Sequence, residues 1–317
     1  MTARENDMNP PTMHPDVPEG LPADVAQGVS KVLSRRNLLG TMGVAAAGGA
    51  LAERAGIVSL TLEGFMLGGA FGGVLGAHYT GSAWIGLVFG VGCGIALATI
   101  HAVASIRYKA DQIVMGVAIN LFAVGITRFF LQLVFGSSSN SSRVTGFGGE
   151  TAGGSAGFLT NPLVWLGLIV MPMLSWVIYR TTFGLRVRAV GEHPEAAASV
   201  GVPVNRVRYV AVIASGALAS LGGVYLALDQ HQFTDSMTAG RGFIALAAVI
   251  FGRWDPMRAG FACLLFAAAE TLQIQLQTVQ LIPSQFVAMI PYVLTIVAVA
   301  GVVGRSTPPN ALGKTGE

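Results

Sequence analysis

The sequence predicts an all-α, polytopic integral membrane protein with about 8–10 membrane segments, some broken or re-entrant, counted at roughly 20 apolar residues per span. Three observations predict it. Of the 317 residues, 52% are hydrophobic and only 11% are charged, which is more apolar and far less charged than a soluble domain. The apolar residues fall in long runs separated by short loops that carry the arginines. The chain has 42 glycines, many of them inside those runs, as close helix packing in lipid favours. The formal charge of +3 comes mainly from loop arginines. It marks topology and gives no reason to expect nucleic acid as a partner.

Residues 1–33 are rich in Pro, Asp and Glu and lack periodicity, so they are expected to form a disordered cytoplasmic tail. The membrane domain is expected over 34–305 and a short cytoplasmic tail over 306–317. Arg35 and Arg36 precede the apolar run Leu38–Ala52. They mimic a twin-arginine export signal, but they read better as positive-inside anchors of a first, weak span. Val58–Ala77 follows, with Glu63 inside it; then Ala83–Ile106, closed by Arg107 and Lys109, and Ile113–Phe135. The Ser/Gly-rich stretch Gly136–Asn161 has one basic residue, Arg143, and is placed outside. Pro162–Tyr179 returns, and Tyr209–Leu228 goes out again. Gly242–Phe251 is only about half a span. Phe261–Gln277 and Pro283–Val303 complete the set, with Arg305 and Lys314 holding the C-terminus inside. One count conflicts: a first run going outward leaves Val58–Ala77 in the wrong direction for the next span. Gly64, Gly68, Gly69, Gly72 and Gly73 make a broken or re-entrant Val58–Ala77 the expected repair, since irregular backbone at membrane depth needs protein or a water-filled cavity around it. Gly242–Phe251 is its expected counterpart in the second half, and paired interrupted segments point to a substrate path.

Polar residues within the runs are candidates for that path. A carboxylate at the helix centre costs about 2.5–3.5 kcal/mol on insertion scales, so Glu63 is not expected to face lipid. It either lines the pathway or caps backbone N–H groups freed at a break. Asn120 can donate to a substrate or bond a neighbouring helix. Glu270, Gln273 and Gln277 share one helical face, which suits a lumen wall or a subunit seam equally. Phe65, Phe122 and Trp84 can stack on a ring or simply pack and anchor. Cys93 and Cys263 lie apart inside apolar runs, and the five histidines show no ligand spacing; no disulfide scaffold, metal or cofactor is expected. Gly313-Lys314-Thr315 resembles the end of a phosphate loop, but Pro308 stands where its first glycine belongs. No nucleophile–base pair is present, so no catalysis is expected of this chain.

The loop 180–208 carries Arg180, Arg186, Arg188, Arg206 and Arg208 and is therefore placed in the cytoplasm. Inside it, Pro194 to Gly201 reads as one brief helix. Proline suits the first helical position, Glu195 suits the positive helix end, Gly201 can close it left-handed, and Pro203 stops it. A helix this short does not hold alone in water. Ala196, Ala197 and Val200 form a small apolar face that can sit in a partner's groove or on the chain's own membrane domain.

Glu195-Ala196-Ala197, with Gly201 four residues on, resembles the coupling-loop motif of bacterial ABC importer permeases. Further blocks carry the resemblance from about Ala52 to Arg305: Glu53-Arg54-Ala55-Gly56-Ile57-Val58; Leu62-Glu63-Gly64-Phe65-Met66-Leu67; Lys109-Ala110-Asp111-Gln112 with Gly116 and Asn120; Leu185 to Glu192; Gly240 to Ala247; and Gly252-Arg253-Trp254-Asp255-Pro256. They resemble the simple sugar and nucleoside branch of the branched-chain amino acid/ribose-type permease family, and its smaller nucleoside permease in particular. Ser59-Leu60-Thr61 stands where that branch typically has Asn-Ile-Gly, which leaves the substrate open.

The resemblance implies a multi-pass subunit of a bacterial inner membrane with both termini cytoplasmic. Its implied partners, besides membrane lipid, are cytoplasmic ATPase subunits, a second permease subunit and an extracytoplasmic substrate-binding protein. ATP hydrolysis would sit on the ATPases. Glu195, Ala196, Ala197 and Gly201 would couple them to alternating access, and Glu63, Asn120 and Glu270 would line the substrate pathway. The rival class is an ion-coupled secondary transporter or channel that uses Glu63 and Glu270 as ion sites.

Overall fold

The computed structural model describes residues 38–147, 162–279, 289 and 307–314. Among them the chain is helical, with an isolated antiparallel bridge between Asn140 and Thr234. The helices are α1 Leu38–Arg54, α2 Leu62–Thr80, α3 Ala83–Ala102, α4 Gln112–Phe135, α5 Pro162–Arg180, α6 Thr182–Glu192, α7 Pro194–Ser199, α8 Val204–Asp229, α9 Arg241–Phe251 and α10 Pro256–Val279. A π turn, Val103–Arg107, extends α3. Four are long and apolar enough to cross a membrane: α3 with its π turn, α4, α5 and α8. The run expected over Pro283–Val303 lies outside the described residues, as do the tail 1–33 and most of the loop 136–161 after Phe147.

The centre of the bundle is the stretch that composition marked as the weakest span. From Met42 to Ala52, α1 is buried along its length. Alanine and glycine make a thin helix, and a thin helix is what larger neighbours can surround. α8, α9, α10 and α5 all pack on it. Gly48 lies on the Ser215 backbone, and the Arg208 guanidinium donates to the Ala55 carbonyl at 3.3 Å. α1 and α8 are therefore antiparallel. α2 instead runs parallel to α8, with Gly69 on Ser220 and Gly73 on Val224.

These directions correct two expectations. α1 runs toward the face that carries α6 and α7, not away from it as anchoring by Arg35 and Arg36 implied. With that direction the count closes, and α2 needs no break: it is one unbroken helix from Leu62 to Thr80. Its glycines are contact surface. Gly64, Gly68, Gly72 and Gly76 meet Asn120, Leu97, Cys93 and Phe89, while Gly86, Gly90 and Gly94 of α3 answer with backbone-to-backbone approaches to α2 and α8. Spaced four apart, such residues line one helix face and let two backbones approach closely. A methyl added at Gly223 of α8 would overlap the Met66 carbonyl oxygen of α2. Gly223→Ala is expected to destabilise the chain by about 1–3 kcal/mol, the usual cost of overpacking a tight core, read as a lower unfolding temperature of the purified protein.

A broken span does occur, in the second half. After α8 the chain bridges to the segment after α4: Ser141 N–H donates to the Phe233 carbonyl and Asp235 N–H to the Ser139 carbonyl, both at 2.8 Å. It then descends irregularly to Gly240, left-handed at φ 83°, before α9 begins. α9 has 11 residues and completes the passage to the face of α6 and α7. Residues 307–314 pack against that same face. Ala311 is buried there and its N–H donates to the Gly191 carbonyl at 2.9 Å.

Candidate functional site

Two places concentrate the chemistry: the half-helix α9, held at both ends, and the exposed helix α7. At the inner end of the irregular descent, the Glu63 carboxylate accepts three hydrogen bonds. The Thr238 hydroxyl donates at 2.6 Å and Gly240 N–H at 2.9 Å, both to Oε1; Gly242 N–H donates to Oε2 at 2.7 Å. Glu63 can do this because it sits in the first turn of α2 and Gly242 packs directly on its backbone. A carboxylate at a helix N-terminus meets the orphan N–H groups and the positive end of the dipole together, and charge-assisted bonds are the stronger kind. Of the two roles open to Glu63 in the sequence, these bonds describe a cap, and the helix it caps is α9 and not its own.

Asn120 holds the same first turn of α2. Its Oδ1 accepts from Gly64 N–H at 2.8 Å and its Nδ2 donates to the Leu60 carbonyl at 2.9 Å. The Gln112 side chain does similar work below it, accepting from Val58 N–H at 2.8 Å. Structure therefore brings Glu63 and Asn120 together around the start of α2. Glu270 lies in α10, and its side chain is outside the described residues, as is that of Gln277; Gln273 is half-buried. Of the candidate stacking rings, Phe65 is buried edge-on to His101, Trp84 is exposed and edge-on to Phe147, and Phe122 is exposed.

At the other end of α9 the turn Arg253–Trp254 has two consecutive residues at positive φ, 54° and 58°. Non-glycine residues adopt that conformation at a cost, and neighbouring bonds hold it. The buried Trp254 indole N–H donates to Glu53 Oε2 at 2.5 Å, and the Arg54 guanidinium donates to the Trp254 carbonyl at 2.9 Å and the Arg253 carbonyl at 3.3 Å. Arg54 also donates to the Tyr179 hydroxyl at 3.0 Å. Both Glu53–Arg54 and Gly252–Pro256 stood out in the sequence, but no spacing links residues about two hundred positions apart.

The arginine-rich loop 180–208 resolves into two helices at an elbow. Thr181 caps α6 by accepting from Gly184 N–H at 3.1 Å, and Gly184 and Gly191 lie against the carbonyls of Val177 and Arg54. α7 runs Pro194–Ser199 and closes as expected: Gly201 is left-handed at φ 84°, and Val202 N–H returns to the Ala197 carbonyl at 3.0 Å. The small apolar face is divided. Ala197 is buried against Val187, Val190 and Val207 of the chain's own domain, whereas Glu195, Ala196, Val200 and Gly201 are exposed. One side of α7 is thus anchored and the other is presented outward.

On the opposite face, Arg128 forms a bidentate pair with Asp235, the shortest approach being 2.6 Å. The hydrogen bonds from Arg128 hold the Asp235 carboxyl below the usual aspartate range. A carboxyl with a lowered folded pKa stabilises the fold above its unfolded pKa, and that contribution disappears as pH falls through the folded value. Wild type should therefore exceed Asp235→Asn in unfolding temperature at neutral pH, and the gap should close in acid. Among the described residues, no cluster of three or more His, Cys, Asp or Glu is placed to hold a metal ion.

Comparison with known proteins follows the same outline. A family model described as branched-chain amino acid transport system / permease component matches residues 34–299. The chain is 38% identical over 287 residues to the guanosine ABC transporter permease protein NupQ of Bacillus subtilis (strain 168), covering 84% of this chain and 90% of that protein. It is 36% identical over 284 residues to the nucleoside ABC transporter permease protein NupC of Lactococcus lactis subsp. cremoris (strain MG1363), with the same 84% and 90% coverage. Among solved structures, an ABC transporter in an inward-facing conformation aligns at TM-score 0.51 and 18% identity, over 88% of this chain and 89% of that one. That likeness concerns the fold.

Proposed function

The chain belongs to the branched-chain amino acid transport system permease component family, and from that premise we propose that it is the membrane-spanning subunit of an ATP-driven importer of nucleosides or simple sugars. The observation that carries the substrate class is the similarity to nucleoside permeases along nearly the whole chain. The observation that supports coupling is α7, fixed to the chain by Ala197 and open to a partner through Glu195, Ala196, Val200 and Gly201. Such a helix is shaped to sit in a groove on a second protein. In this reading a cytoplasmic ATPase docks there and carries out all ATP hydrolysis. A second permease subunit completes the path through a bacterial inner membrane, and an extracytoplasmic binding protein delivers substrate.

Glu63 and Asn120 serve this path by fixing the ends of α2 and α9 that border it. The ion-coupled alternative loses support, because both Glu63 oxygens already accept bonds from Thr238, Gly240 and Gly242.

The test is to tag the chain in its native membrane, solubilise it gently and identify what co-purifies. An ATPase and a second permease are expected. After reconstitution with the binding protein, ATP should drive uptake of at least one of guanosine, uridine, ribose and glucose. Recovery of the chain alone, with uptake driven by an ion gradient and indifferent to ATP, would overturn the proposal.

A further inference from the structure

The two ends of α9 are held by different parts of the molecule, and the end near the elbow meets it directly. Tyr179 is the penultimate residue of α5, just before the elbow begins at Thr181. Its hydroxyl accepts from the Arg54 guanidinium at 3.0 Å. Its ring lies under two guanidinium groups, Arg54 at 5.7 Å and Arg188 of α6 at 5.4 Å. Arg54 in turn holds both carbonyls of the left-handed turn Arg253–Trp254, and Glu53 holds the Trp254 indole. Asp255 immediately precedes α10 and caps it, accepting from Arg258 N–H at 3.0 Å. The ends of α1 and α5, the start of α10 and the elbow helix α6 therefore converge on the turn that closes α9.

We propose that Tyr179, Arg54, Glu53 and Trp254 are positioning residues that make α9 follow the elbow, so that a push on α7 is delivered at mid-depth, where Glu63 holds the other end of the same helix. This rests on the importer reading above. Three features favour transmission over simple stapling. α9 is a short rigid helix with a bonded group at each end, so displacement of one end displaces the other. The turn at its base sits in a conformation that its neighbours must enforce, so it has a relaxed alternative once they move. And the contacts across it are hydrogen bonds and ring-to-guanidinium contacts, which are directional, whereas the body of the bundle is close-packed.

Two conservative variants isolate the link. Tyr179→Phe removes the hydroxyl and keeps the ring; Trp254→Phe removes the indole N–H and keeps a buried aromatic. Each is purified in the complete importer, with its ATPase and second permease, and reconstituted with the binding protein. Uptake of the transported member of the guanosine, uridine, ribose and glucose set is measured beside ATP hydrolysis at equal complex content. The expected result is hydrolysis near wild type with uptake per ATP reduced about tenfold, within the usual range of coupling between sites. The double variant should be no worse than the more affected single one, because both interrupt one connection. Uptake and hydrolysis falling together at a constant ratio, or neither changing, or two fully additive losses, would each overturn the proposal. A wild-type complex without ATP-dependent uptake would instead remove the importer reading on which it rests.

Discussion

Glu63→Lys is expected to remove most of the folded chain from the membrane. The variant replaces an acceptor of three hydrogen bonds with a cation aimed at three donors and at the positive end of α9. Removing one partner of a buried charged arrangement costs about 3–5 kcal/mol, and half-buried Glu63 belongs at the lower end. That is a large share of the 5–15 kcal/mol that a domain typically has. Glu63→Gln should be milder, because one amide oxygen can still accept from Thr238 and Gly240 while Gly242 N–H loses its partner. An unsatisfied buried donor costs about 1–3 kcal/mol. Immunoblots of the membrane fraction and unfolding temperatures of the purified variants give the ranking wild type, Gln, Lys. Normal abundance of the Lys variant with uptake lost would place Glu63 in the substrate path in preference to the cap.

Ala196→Glu is expected to abolish ATP-driven uptake without changing abundance. Ala196 is exposed on α7, and exposed substitutions usually shift stability by no more than about 0.5 kcal/mol. In a docked cleft the same carboxylate is an unpaired, desolvated charge, worth several kcal/mol against association. At about 1.4 kcal/mol per tenfold, uptake should fall about 100-fold or more. Ala197→Glu gives the opposite pattern, since Ala197 is buried in the chain's own domain: less protein in the membrane, whatever the partner. Gly201→Glu should also stop uptake, with part of its effect coming from the left-handed backbone at φ 84°. Gly201→Asn, which tolerates that conformation better, separates the two causes. Wild-type uptake by Ala196→Glu would dismiss α7 as the docking element.

Much of the fold was legible because it depends on local pattern. The runs read as Ala83–Ile106, Ile113–Phe135 and Pro162–Tyr179 are the helices Ala83–Arg107, Gln112–Phe135 and Pro162–Arg180 almost to the residue. Pro194 and Gly201 bracket α7 because proline and a left-handed glycine act within one turn of themselves. The half-length of α9 was visible from the glycines at its ends. What sequence misread was glycine inside α2. Taken singly, glycines signal a break; at a spacing of four on a helix pressed by α3, α4 and α8, they are the surface that allows close approach. The direction of α1 was misread for a related reason. Positive charge before a run suggests an inward anchor, but the antiparallel packing of α1 on α8 fixes its direction. The partners of Glu63 were out of reach altogether, since Thr238 and Gly242 lie 175 and 179 positions away and only the tertiary fold joins them.

The glycine seams among α2, α3 and α8 have a mechanical consequence. At those crossings one backbone rests on another, with Gly90 against the Gly69 carbonyl and Gly223 against that of Met66. Such backbone contacts leave little room for sliding, so these three helices are expected to move as a single block. Bending must then be borne by stretches that no such seam fixes. The bridged, irregular chain from Gln230 to Gly240 and the turn from Gly252 to Asp255 are the two that flank α9. In that sense the smallest residues in the sequence decide where the molecule's hinges can be.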